Sequence, residues 1–182
     1  MKNRAVFLDR DDTLIVNIPY LGDPSRVKLL PGAQESLDLL QAGGFDLFLV
    51  SNQSGVGRGL ITTEQVRQVN DEMCRQLGGD YFKGMYFCYA APEDVAGAQD
   101  RKPSPGLLLR AREEHGLDLE KSFMIGDRLS DVECGLNAGC RSVLVLTGTE
   151  ETNLVEAQIK AHHIAHNLLE AANWILQESG DA

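Results

Sequence analysis

Five short apolar runs punctuate the chain: AVFLD (residues 5–9), DLFLVS (46–51), GMYFCY (84–89), SFMIGD (122–127) and SVLVL (142–146), each bounded by Gly, Pro, Asn or Asp. Runs this short and this continuously apolar suit strands covered on both faces, as in a parallel sheet. Helical patterns lie between them: PGAQESLDLLQAGG, TTEQVRQVNDEMCRQLGG, SPGLLLRAREEHG and LSDVECGLNAG. Alternating strand and helix predicts an α/β fold, a Rossmann-like parallel sheet joined by right-handed crossovers with helices on both faces.

Local chemistry marks the helix ends. Pro31 stands near the start of one helix and Gly43-Gly44 closes it, Thr62 or Thr63 caps the next with Gln65 or Gln68 nearby, and Gly116 and Gly139 end two more. After Leu146 the pattern weakens to HHIAHN, a short edge strand, and LLEAANWILQ, a closing helix with Asn167 as its cap and Trp174 packed on the sheet. Residues 91–100 are the longest stretch without periodicity. At 182 residues, with neither repeat nor linker, the chain reads as a single domain, 1–182.

The net charge of -10 argues against a sequence-independent nucleic-acid partner, which requires a basic surface. No apolar run is long enough to span a bilayer, and MKNRAVFLD lacks a signal-peptide layout, so the reading expects a cytoplasmic monomer without nucleic-acid or membrane partners. Cys74, Cys88, Cys134 and Cys140 form no C-x-x-C pair and read as reduced, mostly buried thiols.

Ligands of open parallel sheets bind beyond the carboxyl ends of the strands. There this chain places Asp9, Ser51 and Asp127 at the ends of three strands, Lys102 after the loop following another, and Asp11 two residues past Asp9. In extended chain, Asp9 and Asp11 face one side and Arg10 points away. Two carboxylates facing one site repel unless a cation joins them. A hard divalent ion such as Mg2+ suits oxygen ligands, with Asp9 and Asp127 as side-chain ligands and the Asp11 carbonyl as a third.

In four segments the chain resembles the haloacid dehalogenase (HAD) superfamily of phosphohydrolases. DRDDT (9–13) is similar to its D-x-D-x-T loop, SNQSG (51–55) to the second motif, Lys102 in RKPSPG to the third, and GDRLSD (126–131) to the fourth; the resemblance covers roughly residues 4–147. It implies that Asp9 attacks phosphorus and that Asp11 first protonates the leaving alkoxide and then deprotonates water, its side chain free because only its carbonyl meets the metal. Mg2+, Lys102, the Ser51 hydroxyl and backbone N–H groups of the Arg10–Thr13 turn would meet the phosphoryl charge. Asp12 stands where many relatives have Gly, and Asp131 would hold Lys102 or a metal-bound water.

The gaps between motifs leave no room for a cap domain. SNQSGVGRG, the Arg before Lys102, and Tyr20 soon after DRDDTLI resemble the heptose bisphosphate phosphatase and histidinol phosphatase group. The resemblance implies a small phosphorylated substrate, with Arg101 on a phosphate and Asn17, Tyr20, Asn52, Gln53 and Arg128 as substrate neighbours. D-glycero-D-manno-heptose 1,7-bisphosphate is the expected substrate; histidinol phosphate, another small phosphate ester, or an inactive phospho-ligand-binding protein are the alternatives. Many members of the group bind zinc before the R-K pair through C-x-H and C-x-C, whereas CYAAPEDVAGAQDRK retains only Cys88. One thiolate cannot build a tetrahedral site, so no structural zinc is expected, and packing around Pro92 is expected to hold the loop.

Overall fold

The computed structural model of the chain describes residues 3–148 and 153–180. Six strands form one parallel sheet in the order β3-β2-β1-β4-β5-β6: β1 (Ala5–Leu8), β2 (Asp46–Asn52), β3 (Phe82–Cys88), β4 (Phe123–Gly126), β5 (Arg141–Val145) and β6 (His163–Ala165). Central β1 pairs with β2 on one side and β4 on the other, with Phe7 opposite both Phe48 and Met124. Strand order therefore reverses at β1, which opens a crevice beyond its carboxyl end. Among the described residues no cap domain interrupts the sheet connections.

The side-chain period of two divides β1 between the two faces. Val6 and Leu8 join a core with Leu37 and Leu40 of α1 (Ala33–Ala42), Val69 and Met73 of α3 (Thr63–Leu77) and Ile175 of α7 (Leu168–Gly180). Ala5 and Phe7 join the opposite core with Leu107 and Ala111 of α4 (Gly106–His115) and Cys134 of α5 (Leu129–Ala138). Phe7 stacks on Phe48 at 5.5 Å between centroids. Truncating either buried ring to alanine costs about 3–5 kcal/mol.

Helix ends follow their punctuation. Thr62 accepts from Gln65 N at 3.1 Å while the Gln65 side chain accepts from Thr62 N at 2.9 Å, a reciprocal cap. Asn167 caps α7 by accepting from Glu170 N at 3.0 Å. Trp174 lies edge-on to Phe123 and stacks on His163 at 4.4 Å. The cysteines form no disulfide, and burial pushes the Cys134 and Cys140 thiols up to about 12, which leaves them inert.

Three expectations need correction. The run GMYFCY belongs to an edge strand whose two faces are unequally covered: Tyr86 and Cys88 are buried in one core, whereas Met85 and Phe87 are only partly buried against the other. Pro92 is exposed and does not hold the 91–100 loop. Buried Ala91 and hydrogen bonds do so: Gly57 N donates to Tyr89 O at 2.9 Å, Arg101 Nη1 to Ala90 O at 3.2 Å and Ser104 Oγ to Gln99 O at 2.5 Å. Two short helices, α2 (Ser54–Gly57) and α6 (Leu154–Lys160), also lay outside the sequence pattern.

Candidate active site

Asp9 follows β1 directly, Asp127 follows β4, and Asp131 lies in the first turn of α5; their relative exposures are 6%, 5% and 1%. One carboxylate oxygen from each lies within 4.8 Å of the others. Lys102 enters from the loop before α4 with a 3% exposed side chain, placing Nζ 2.7 Å from Asp9 Oδ1, 2.6 Å from Asp131 Oδ1 and 2.9 Å from the Val50 carbonyl. Burial pulls the ammonium pKa down, but Asp131 and Asp9 together hold it above its ordinary value.

One buried cation does not balance three buried acids, and Arg128, whose Nε lies 3.7 Å from Asp127 Oδ2, adds only a charge on a side chain 41% exposed to solvent. Burial, then Asp131 and Asp9, push the Asp127 carboxyl up to about 8, and Asp127 Oδ1 is buried without a hydrogen-bond partner. Burial likewise raises Asp131, with Lys102 opposing. A divalent cation would supply the missing charge and use the unpartnered oxygen, so this donor set fits a hard, oxygen-seeking ion. The acidic set includes Asp131, for which the resemblance implies a role in holding Lys102 or a metal-bound water; it does hold Lys102, and its Oδ2 accepts from Arg128 N at 3.1 Å, which helps cap α5.

A pocket of about 360 Å³ opens beside this cluster. Asp9, Asp11, Ser51 and Lys102 line it, together with Asn17, Tyr20, Arg101 and Arg128. Tyr20 is 46% exposed and adopts φ 53°. Asn52 and Gln53 also line the pocket, but their amides are engaged in holding neighbours. Asn52 accepts from Lys102 N at 3.1 Å and donates to Lys102 O at 3.2 Å, pinning the lysine backbone to β2. Gln53 Nε2 donates to Asp11 Oδ2 at 2.9 Å and to Ser51 Oγ at 3.0 Å.

The DRDDT loop departs from extended geometry after Asp9. Arg10 does not point away from its acidic neighbours: it is 1% exposed, and its Nη2 donates to both Asp11 carboxylate oxygens at 3.0 Å. The Asp11 side chain is therefore held by hydrogen bonds from Arg10 and Gln53. Asp12 takes φ 56°, the left-handed turn that Asp tolerates, and accepts from Asn17 N at 3.1 Å. The Asp12 and Thr13 N–H groups donate to Ile15 O and Arg10 O, leaving those of Arg10 and Asp11 as the uncommitted donors of that turn among the described residues. Sequence reasoning missed Asn70, whose Oδ1 accepts from Arg10 Nη1 at 3.1 Å. Its signal was a polar residue within the buried stripe Val66, Val69, Met73 and Leu77 of α3.

The segment past β5 closes the back of the cluster. Thr147 Oγ1 donates to Asp12 O at 2.5 Å, and a Cβ added to Gly148 would lie 2.4 Å from Asp127 Oδ2.

Comparison with known proteins finds relatives in sequence and in fold. A family model described as "HAD-hyrolase-like" matches residues 99–171. A Helicobacter pylori D-glycero-beta-D-manno-heptose-1,7-bisphosphate 7-phosphatase is 36% identical over 180 residues, covering 95% of this chain and 97% of its own. The Chlorobaculum tepidum D-glycero-D-manno-heptose-1,7-bisphosphate 7-phosphatase is 36% identical over 182 residues, with 92% of each chain covered. The crystal structure of the D,D-heptose 1,7-bisphosphate phosphatase from B. bronchiseptica, complexed with magnesium and phosphate, superposes with a TM-score of 0.84 at 27% identity and covers 96% of this chain and 99% of its own. With motifs, fold and acidic cluster in agreement, the chain belongs to the HAD superfamily of phosphatases, among the relatives of the heptose 1,7-bisphosphate 7-phosphatases.

Proposed function

We propose that this enzyme is a Mg2+-dependent phosphomonoester hydrolase that removes the C7 phosphate of D-glycero-D-manno-heptose 1,7-bisphosphate through an aspartyl-phosphate. The observation that carries the reading is the buried cluster in which Lys102 touches both Asp9 and Asp131 while Asp127 Oδ1 stays unpartnered. Asp9 and Asp127, with the Asp11 carbonyl, would hold the ion. When bound, it supplies positive charge that keeps these carboxylates ionised and neutralises phosphoryl oxygens.

Asp9 attacks phosphorus as the bond from phosphorus to the C7 oxygen breaks, and Asp11 gives that oxygen its proton. The Asp11 carboxylate then takes a proton from water, whose oxygen attacks phosphorus and releases Asp9. Lys102 holds Asp9 in place and, with the Ser51 hydroxyl and the Arg10 and Asp11 N–H groups, offers donors to the phosphoryl oxygens. Arg101 and Arg128, which line the pocket, suit the dianionic groups of a bisphosphate, while Asn17 and Tyr20, which also line it, would contact the sugar.

The test is a substrate panel of heptose bisphosphate, histidinol phosphate and simple sugar phosphates, each with and without Mg2+. The expected result is preferential, Mg2+-dependent cleavage of the heptose bisphosphate that Asp9→Asn abolishes. Preference for histidinol phosphate would reassign the substrate, and turnover by the Asp9→Asn variant would remove the nucleophile. No structural zinc is part of the reading, because Cys88 is the only Cys or His between residues 88 and 102 and its thiol donates to Gly97 O at 3.7 Å. Stoichiometric zinc in a metal analysis would contradict this.

A further inference from the structure

Between Asp9 and Asp11 stands Arg10, the largest of the fully buried side chains among the described residues. Desolvating a guanidinium costs several kcal/mol unless its partners are well placed. Here they are: besides the fork onto both Asp11 oxygens, Nε lies 3.3 Å from Asp11 Oδ1, and Asn70 Oδ1 accepts Nη1 at 3.1 Å. Asn70 is 4% exposed and sits on α3, outside the pocket of the catalytic cluster. On its other edge Asp11 Oδ2 accepts from Gln53 Nε2. Gln53, just past β2, and Arg10, tied to α3 through Asn70, thus grip one carboxylate, which keeps 20% of its surface exposed.

We propose that Arg10, anchored by Asn70, is a positioning residue for Asp11: its fork fixes the plane of the carboxylate at the pocket wall, so that Asp11 exchanges protons with the leaving oxygen and with water without first reorienting. The proposal rests on the reading of Asp11 as the acid–base. Charge alone would not require arginine, since a lysine ammonium in the same place would attract the carboxylate while leaving its plane free to turn. Orientation requires the planar fork and the amide that keeps the fork from rotating.

Arg10→Lys and Asn70→Ala separate these roles, with Asp11→Asn as the reference and p-nitrophenyl phosphate as a second substrate. Its phenolate departs without a proton, so enzyme-excess single turnovers report phosphoryl transfer to Asp9 alone, whereas steady-state turnover of the sugar phosphate needs Asp11 in both steps. In the Mg2+-loaded enzyme both variants should lose about tenfold to a hundredfold in kcat on the sugar phosphate, within the range spanned by general acid–base catalysis. KM and the single-turnover release of nitrophenolate should stay within about twofold of wild type. Loss of nitrophenolate release in step with kcat would assign Arg10 to the general integrity of the site and overturn the proposal, as would an unchanged kcat in both variants. If Asp11→Asn itself affects the two substrates equally, the acid–base reading of Asp11 fails; if Asp11→Asn separates them and Arg10→Lys does not, only the positioning role fails.

Discussion

Replacing Lys102 with methionine keeps a long apolar stem and removes a charge that Asp9, Asp131 and the Val50 carbonyl all use, at 2.7, 2.6 and 2.9 Å. With the ammonium gone, two carboxylates exposed by only 6% and 1% keep their burial and lose their counter-ion. Breaking such a pair from one side costs about 3–5 kcal/mol, because the stranded charge retains its desolvation penalty. For a domain of this size each kcal/mol moves Tm by about 2–4 °C, so the metal-free variant should melt roughly 6–20 °C below wild type. The cost should grow with pH. Asp131 is already raised in the folded state by burial, and Lys102 opposes that rise. A carboxyl raised on folding contributes stability below its unfolded pKa and loses it as pH rises through its folded value, so removing Lys102 raises Asp131 further and does more harm at pH 8 than at pH 5. Thermal melts of metal-free wild type and variant at both values test this. A Tm difference under about 2 °C, or one that shrinks as pH rises, would refute the buried-charge reasoning.

Because burial and its acidic neighbours hold Asp127 up to about 8, the metal-free protein should lose stability between about pH 4 and pH 8. Mg2+ must displace that proton, so its Kd should fall by up to about tenfold per pH unit from about pH 6 to pH 8, as calorimetry in buffers of different ionisation enthalpy would show; a constant Kd would contradict the shift. Gly148→Ala should press a methyl against Asp127 Oδ2, costing about 1–3 kcal/mol and weakening Mg2+ binding about tenfold; unchanged affinity would separate the segment after β5 from the site.

Much of this site was legible because a parallel sheet delivers its strand ends to one rim, so Asp9, Ser51, Lys102 and Asp127 could be assembled from their positions after apolar runs. Helix limits were legible where Gly43, Gly116 and Gly139 ended the pattern. Arg10 was misread because alternation holds only while the chain stays extended, and the turn at Asp12 folds the loop back beyond Leu8. The edge position of β3 could not be read from GMYFCY, since strand order depends on crossovers and not on local composition. Helix α6 gave no inward stripe: Val155 and Ile159 are 70% and 79% exposed, and only Ala157 is buried.

During turnover the carboxylate of Asp9 should carry the phosphoryl group. Quenching the Mg2+-loaded enzyme during steady turnover of heptose bisphosphate and reducing it at once with borohydride converts an acyl phosphate to the corresponding alcohol, so peptide mass spectrometry should find homoserine at position 9 and at no other aspartate. Homoserine at a different position, or none while phosphate is being released, would contradict the account.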